Sequence, residues 1–202
     1  MGRPSVADAR RRQILEAAIR CLANNGLAAT TLDGIAAEAG MARGHVRHFA
    51  GNRDEILAAA ATLLYLGEVP GPDAVASGEP VGSFLPAGTT TVEAALDYLF
   101  GGFAEPGPEN VAALAFIDAS RSNERIREVV TGAYLTSLME LQHLLTAAAP
   151  SVEADRVNAV AYGVLTVALG NVFMADLEVS PARTELARKN AEALIAAVVQ
   201  GL

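Results

Sequence analysis

Tryptophan is absent, cysteine and lysine each occur once, and aromatic residues make up only 5% of the sequence. A single cysteine, Cys21, excludes an internal disulfide and a cysteine-based zinc site. No apolar run reaches the roughly 18–20 residues that a membrane span needs, so no membrane partner is expected. Residues 1–12 are polar and arginine-rich with no apolar stretch behind them, which predicts a cytoplasmic protein without a secretion signal. There is no phosphate-binding glycine loop, no Gly-x-Ser-x-Gly and no metal-ligand spacing. No catalytic residue, metal site or cofactor is therefore assigned, and the chain is not expected to be an enzyme. The histidines do not change this: His45 and His48 share one short segment, and His143 lies far away in sequence.

What is present favours helices. Half of the 202 residues are hydrophobic (51%) and alanine is abundant. Ser5-x-x-Asp8, Thr30-x-x-Asp33, Asn52-x-x-Glu55 and Thr90-x-x-Glu93 each place a short oxygen side chain three residues before a carboxylate, a helix-start pattern. Ser180-Pro181 is another start. Apolar spacing predicts a first helix around the stripe Ile14 to Leu22, ended by Asn24-Asn25-Gly26, and helices over 32–39, 43–49 and 53–66, then over 92–103, 109–121, 124–149, 152–176 and 181–199. Cys21 falls on the apolar stripe of the first helix, as a small core residue. Between Gly67 and Gly88 stand five glycines and four prolines, which predicts a long loop. The fold class expected is all-α: a compact group of short helices followed by a bundle of longer ones.

Charge divides the chain in the same place. Residues 1–55 hold eight arginines and six acids, while residues 56–202 hold seven basic residues and 17 acids. The overall charge of −8 thus hides a basic N-terminal part suited to meeting an anion. Residues 30–49 read TTLDGIAAEAGMARGHVRHF, two short helices flanking Gly40-Met41-Ala42, which is the helix-turn-helix pattern. The second helix carries Arg43, His45, Arg47 and His48, with Val46 and Phe49 turned inward, and Gly44 allows close backbone approach. A helix of this kind fits the DNA major groove. Arg43 is the candidate for guanine, and His45 for a neighbouring base. Arg47, His48, Thr30, Thr31 and Arg53 are the phosphate candidates. The run Arg10-Arg11-Arg12 reads as a solvated face or a second contact to the DNA backbone.

These residues resemble the TetR transcriptional regulators. Arg12-Gln13-Ile14-Leu15-Glu16-Ala17-Ala18 is similar to that family's first helix, and Asn25-Gly26-Leu27 with Ala29-Thr30-Thr31 to the loop after it. Ile35 through Gly44, including Ala42, is similar to its helix-turn-helix core, and Asn52-Arg53-Asp54-Glu55-Ile56-Leu57 to the start of its fourth helix. Departures are His45 where the family usually has Thr, Arg47 where it has Tyr, and Ala50 where it has an aromatic residue. The resemblance implies a DNA-binding domain at 1–55, and an effector-binding and dimerisation domain at 56–202. It also implies a homodimer on a palindromic double-stranded DNA operator, acting as a repressor released by a small molecule. The dimer interface it implies lies on the last two long helices, with Val157, Val160, Ala161, Val164, Ala168, Leu186, Ala193, Leu194 and Ala197. Candidates for the effector pocket are Phe100, Phe103, Phe116, Tyr134, Leu138, His143, Tyr162 and Met174. No basic cluster accompanies them, so a small apolar or aromatic effector is expected. The alternatives are a helical interaction protein and a TetR-like regulator that answers to a protein partner.

Overall fold

The computed structural model describes residues 6–67 and 82–199, the last two as backbone only. Among them are helices and no strand: α1 (Val6–Ala29), α2 (Leu32–Glu38), α3 (Arg43–Ala50), α4 (Arg53–Leu66), α5 (Val92–Leu99), α6 (Pro108–Ala119), α7 (Glu124–Ala148), α8 (Ala154–Leu177) and α9 (Pro181–Val199). The helix expected over 92–103 breaks after Leu99 and resumes as a 3-10 turn at Gly102–Ala104. Most of the predicted 67–88 loop, residues 68–81, and the Ser5 helix start lie outside the described residues. The chain forms two compact units. Unit 1 comprises 1–82 and 107–133; unit 2 comprises 83–106 and 134–202.

In unit 1, α1 buries Ile14, Leu15, Ala17, Ala18, Cys21 and Leu22, the stripe its spacing predicts. They pack with Ile35 of α2, Val46 of α3, Ile56 and Leu57 of α4, and Phe116 of α6. Cys21 is thus core. Burial, and secondarily the Glu38 carboxylate, push its thiol pKa up against a smaller opposite pull from Arg20. The native protein should therefore resist alkylation at mildly alkaline pH and react only after denaturation. Rapid labelling of the native protein, read by mass spectrometry, would contradict this. Tyr65 is also held by this core; its hydroxyl donates to the Ala113 carbonyl at 3.0 Å and burial raises its pKa.

Helix starts follow the sequence with two revisions. Asn52 and Glu55 form the predicted capping box. The caps of α2 and α5 are Thr31 and Thr91, one residue later than Thr30 and Thr90. Thr30 instead turns inward, fully buried, and its hydroxyl donates to the Gly26 carbonyl at 2.8 Å.

Unit 2 packs Leu96, Leu99 and Phe100 of α5 and its end against Leu141 and Leu145 of α7 and Val160, Val164 and Leu165 of α8. Gly163 admits α9 closely: a Cβ there would stand 3.1 Å from Leu194 Cδ1. Arg188 of α9 bonds Asp97 of α5 at 2.7 Å and Glu192 at 2.8 Å. Those two hydrogen bonds, Glu192 first, push its pKa up despite desolvation. The buried Ser137 hydroxyl accepts from the Phe84 amide at 2.7 Å and so anchors the strap entering α5. One expectation is corrected here. α8 is long and apolar enough to cross a membrane, by length and composition, with a mean hydropathy of 1.6 over 18 of its residues. Its polar residues are spaced out along an otherwise apolar helix, so scanning for an unbroken apolar run overlooks it. Its inner face is occupied by the core of unit 2, the behaviour of a core helix.

Candidate nucleic-acid interface and effector cleft

The α2–α3 turn is built by Gly40. Its φ of +64° is a left-handed conformation that favours glycine, and it lets the Met41 amide donate to Ala36 and the Gly40 amide to Ala37. Neighbouring helices close the open ends. Gln13 of α1 donates to the Ala39 carbonyl at 2.8 Å, at the end of α2. Arg11 of α1 donates to the Phe49 carbonyl at 3.3 Å, near the end of α3. Arg20 pairs with Glu38 at 2.7 Å. The middle arginine of the run 10–12 is thereby half-buried and structural, while Arg12 pairs with Glu16.

With this bracing, α3 turns Val46 and Ala50 into the core and leaves Arg43, Gly44, His45, Arg47 and His48 exposed, with Ala42 exposed just before them. Helical spacing places Gly44 and His48 at the middle of the outward face, with Arg47 and His45 on its flanks. Phe49 is half-buried, its ring edge-on to His48 at 5.0 Å. Nothing lies within 4 Å of a Cβ added to Gly44. Gly44→Ala should therefore stabilise α3 by about 0.5–1 kcal/mol through helix propensity. Gly44→Leu should leave the melting temperature undiminished yet weaken DNA binding, which a melting curve and a binding titration read separately.

Two of the expected phosphate ligands are placed otherwise. Thr30 is buried, and Arg53 lies across the end of α1. Arg53 Nε donates to the Thr30 carbonyl at 2.5 Å and Nη2 to the Leu27 carbonyl at 2.6 Å. Gly26, with φ +72°, breaks α1 and exposes these carbonyls; a helix-end guanidinium is the physical answer to them. Thr31 remains exposed at the N-cap of α2, its hydroxyl accepting from the Gly34 amide at 3.1 Å.

The predicted effector residues do not gather. Phe116 belongs to the core of unit 1. His143 is exposed, and Tyr162 (55% exposed) and Met174 (57%) point outward from α8. Phe103, Tyr134 and Leu138 pack half-buried on the core of unit 2, where Phe103 stacks on Phe84 at 5.7 Å. Phe100 alone of the eight lines an open cleft of about 350 Å³ in unit 2. Its other walls include Ala104, Glu105, Pro106, Ala175, Val179, Thr184, Glu185 and Arg188. These residues come from three separate stretches, and no local pattern links them. Among the described residues no group of three or more His, Cys, Asp or Glu could hold a metal ion.

The residues expected at an interface on α8 and α9 are placed differently from one another. Val157, Val160, Ala161, Val164 and Ala168 are buried in the chain's own core. The outward face of α8 carries Tyr162, Thr166, Gly170, Phe173 and Leu177, at one-turn spacing. On α9 the expected Leu186, Ala193, Leu194 and Ala197 are exposed. Together they leave an apolar surface of the kind that marks an interaction site.

Residues 14–60 match the family model of bacterial regulatory proteins, tetR family. No curated protein sequence matches the chain. A TetR transcription regulator from Haloarcula marismortui is 22% identical with a TM-score of 0.71, over 94% of this chain and 98% of that one. A transcriptional regulator from Pseudomonas aeruginosa is 21% identical with a TM-score of 0.71, over 96% and 91%. The multidrug binding protein EbrR, complexed with proflavin, is 20% identical with a TM-score of 0.54, over 92% and 99%. At these identities the likeness is one of fold.

Proposed function

We propose that this chain, a tetR-family protein by its N-terminal domain, is a dimeric repressor that reads a palindromic operator and releases it on binding a small apolar or aromatic molecule. The observation that carries the DNA reading is α3 itself. One side is locked into the core by Val46 and Ala50, while His45, Arg47 and His48 on the other faces, and Arg43 at the exposed start of the helix, are open to solvent on a helix one groove wide. Residues 1–55 do the reading, and residues 56–202 hold the effector and the second subunit. Arg43 and His45 meet bases; Arg47, His48 and the Thr31 helix start meet phosphate.

The second subunit docks on the outward faces of α8 and α9, through Tyr162, Phe173 and Leu186. Two copies of α3 then read half-sites one helical turn, about 34–36 Å, apart. The effector enters the cleft lined in part by Phe100, whose size suits a small organic molecule. EbrR, of the same fold, takes the aromatic proflavin, which supports this class. Release is a population shift. Moving the dimer from almost wholly binding-competent to almost wholly incompetent needs about 10⁴-fold tighter effector binding to the incompetent form. Selection of bound fragments from random duplex DNA at two salt concentrations tests the reading. A palindromic site bound far above bulk DNA is expected; weak binding with no enriched sequence would overturn it.

A further inference from the structure

We propose that Asp33 is a positioning residue for DNA reading: it holds the Arg43 guanidinium so that its free edge faces a guanine. The inference rests on the reading of α3 as the DNA-contacting helix. Arg43 is the first residue of α3, and the first turn of that helix holds no acidic residue. A cation there faces the positive end of the helix dipole and needs a counter-charge. Asp33, from the first turn of α2, supplies it. Both of its carboxylate oxygens accept from Arg43 Nη1, at 3.1 and 2.8 Å.

That choice of nitrogen matters. The N–H bonds of Nε and Nη2 run parallel and form the fork that fits guanine O6 and N7. With Nη1 held by Asp33, this fork is presented in one orientation before DNA arrives, and less side-chain freedom is lost on binding. The pair is widely exposed, at 60% for Arg43 and 68% for Asp33, so it contributes little to folding. The Asp33 carboxylate also stands where phosphates approach, and repels a loosely seated duplex. Asp33 thus acts in two opposite directions: it sharpens base choice and weakens binding to arbitrary DNA.

The test uses the full chain on its selected site, on single-base variants of that site and on unrelated duplex. Arg43→Ala should abolish a guanine preference at one base pair of each half-site. Asp33→Asn should lower the preference at that same base pair by about tenfold while binding to unrelated duplex strengthens. Asp33→Glu should restore part of the preference, and the double variant should show the same absence of guanine preference as Arg43→Ala. A merely structural role would weaken all sequences alike and leave the preference intact. If Asp33→Asn keeps the guanine preference, or if its loss adds to that of Arg43→Ala, the proposal is overturned while the DNA reading stands. If the unaltered protein selects no site, both fall.

Discussion

Phe173→Glu should turn the proposed dimer into a monomer and weaken binding to its selected DNA site by about 10²–10⁴-fold, the factor lost when two linked contacts become one. Phe173 is 47% exposed on the outward face of α8, in the stripe running through Tyr162 and Leu177. A carboxylate there meets solvent in the free chain and an apolar partner surface in the dimer, so its cost falls almost wholly on association. The variant should keep its helical circular dichroism and lose mass in sedimentation. Val164→Glu is the contrast. Val164 is fully buried in its own unit, and a charge there should unfold the protein instead. A Phe173→Glu protein that stays dimeric would place the interface elsewhere. An unaltered protein that is already monomeric would favour a different protein as the partner of this face.

Arg53→Ala should destabilise the protein by about 1–3 kcal/mol, because two charge-assisted bonds at the end of α1 vanish and the Thr30 carbonyl is left unpaired, while the Leu27 carbonyl keeps its bond from the Thr30 amide. Denaturant unfolding measures this directly. Loss of operator affinity should follow stability: it should recover at temperatures where the variant is fully folded. The slope of log affinity against log salt should not change, since no phosphate contact is removed. A slope reduced by about one unit, with unchanged stability, would return Arg53 to the phosphate ligands.

These two residues show where sequence reasoning holds and where it stops. Arg53 beside Asn52 and Glu55 is recognisable as the start of a helix. What its guanidinium does depends on Gly26 breaking α1 some 27 positions earlier, a contact that no local spacing encodes. The neighbouring threonines pose the same problem at shorter range. Thr30 and Thr31 are equally good caps by type, and so are Thr90 and Thr91. The residue that caps is decided by how the preceding segment enters the helix, which depends on the packing of that segment.

The sequence by itself determined the helix-rich class, most helix bodies, the Asn52–Glu55 cap, the Gly40 turn and the basic outer face of α3. All of these rest on local propensity, helical periodicity and φ requirements, which act within a few residues. Tertiary structure decided which side of α8 is inside. Apolar residues surround that helix, so its periodicity has no preferred face, and Val160, Val164 and Tyr162 look alike as interface candidates. Only the neighbours, Leu96, Leu141 and α9 brought in over Gly163, select the inner face and leave Tyr162 and Phe173 outward. The same holds for the cleft beside Phe100 and for the pairing of Asp33 with Arg43. Each joins residues from separate segments, and only packing sets the distance between them.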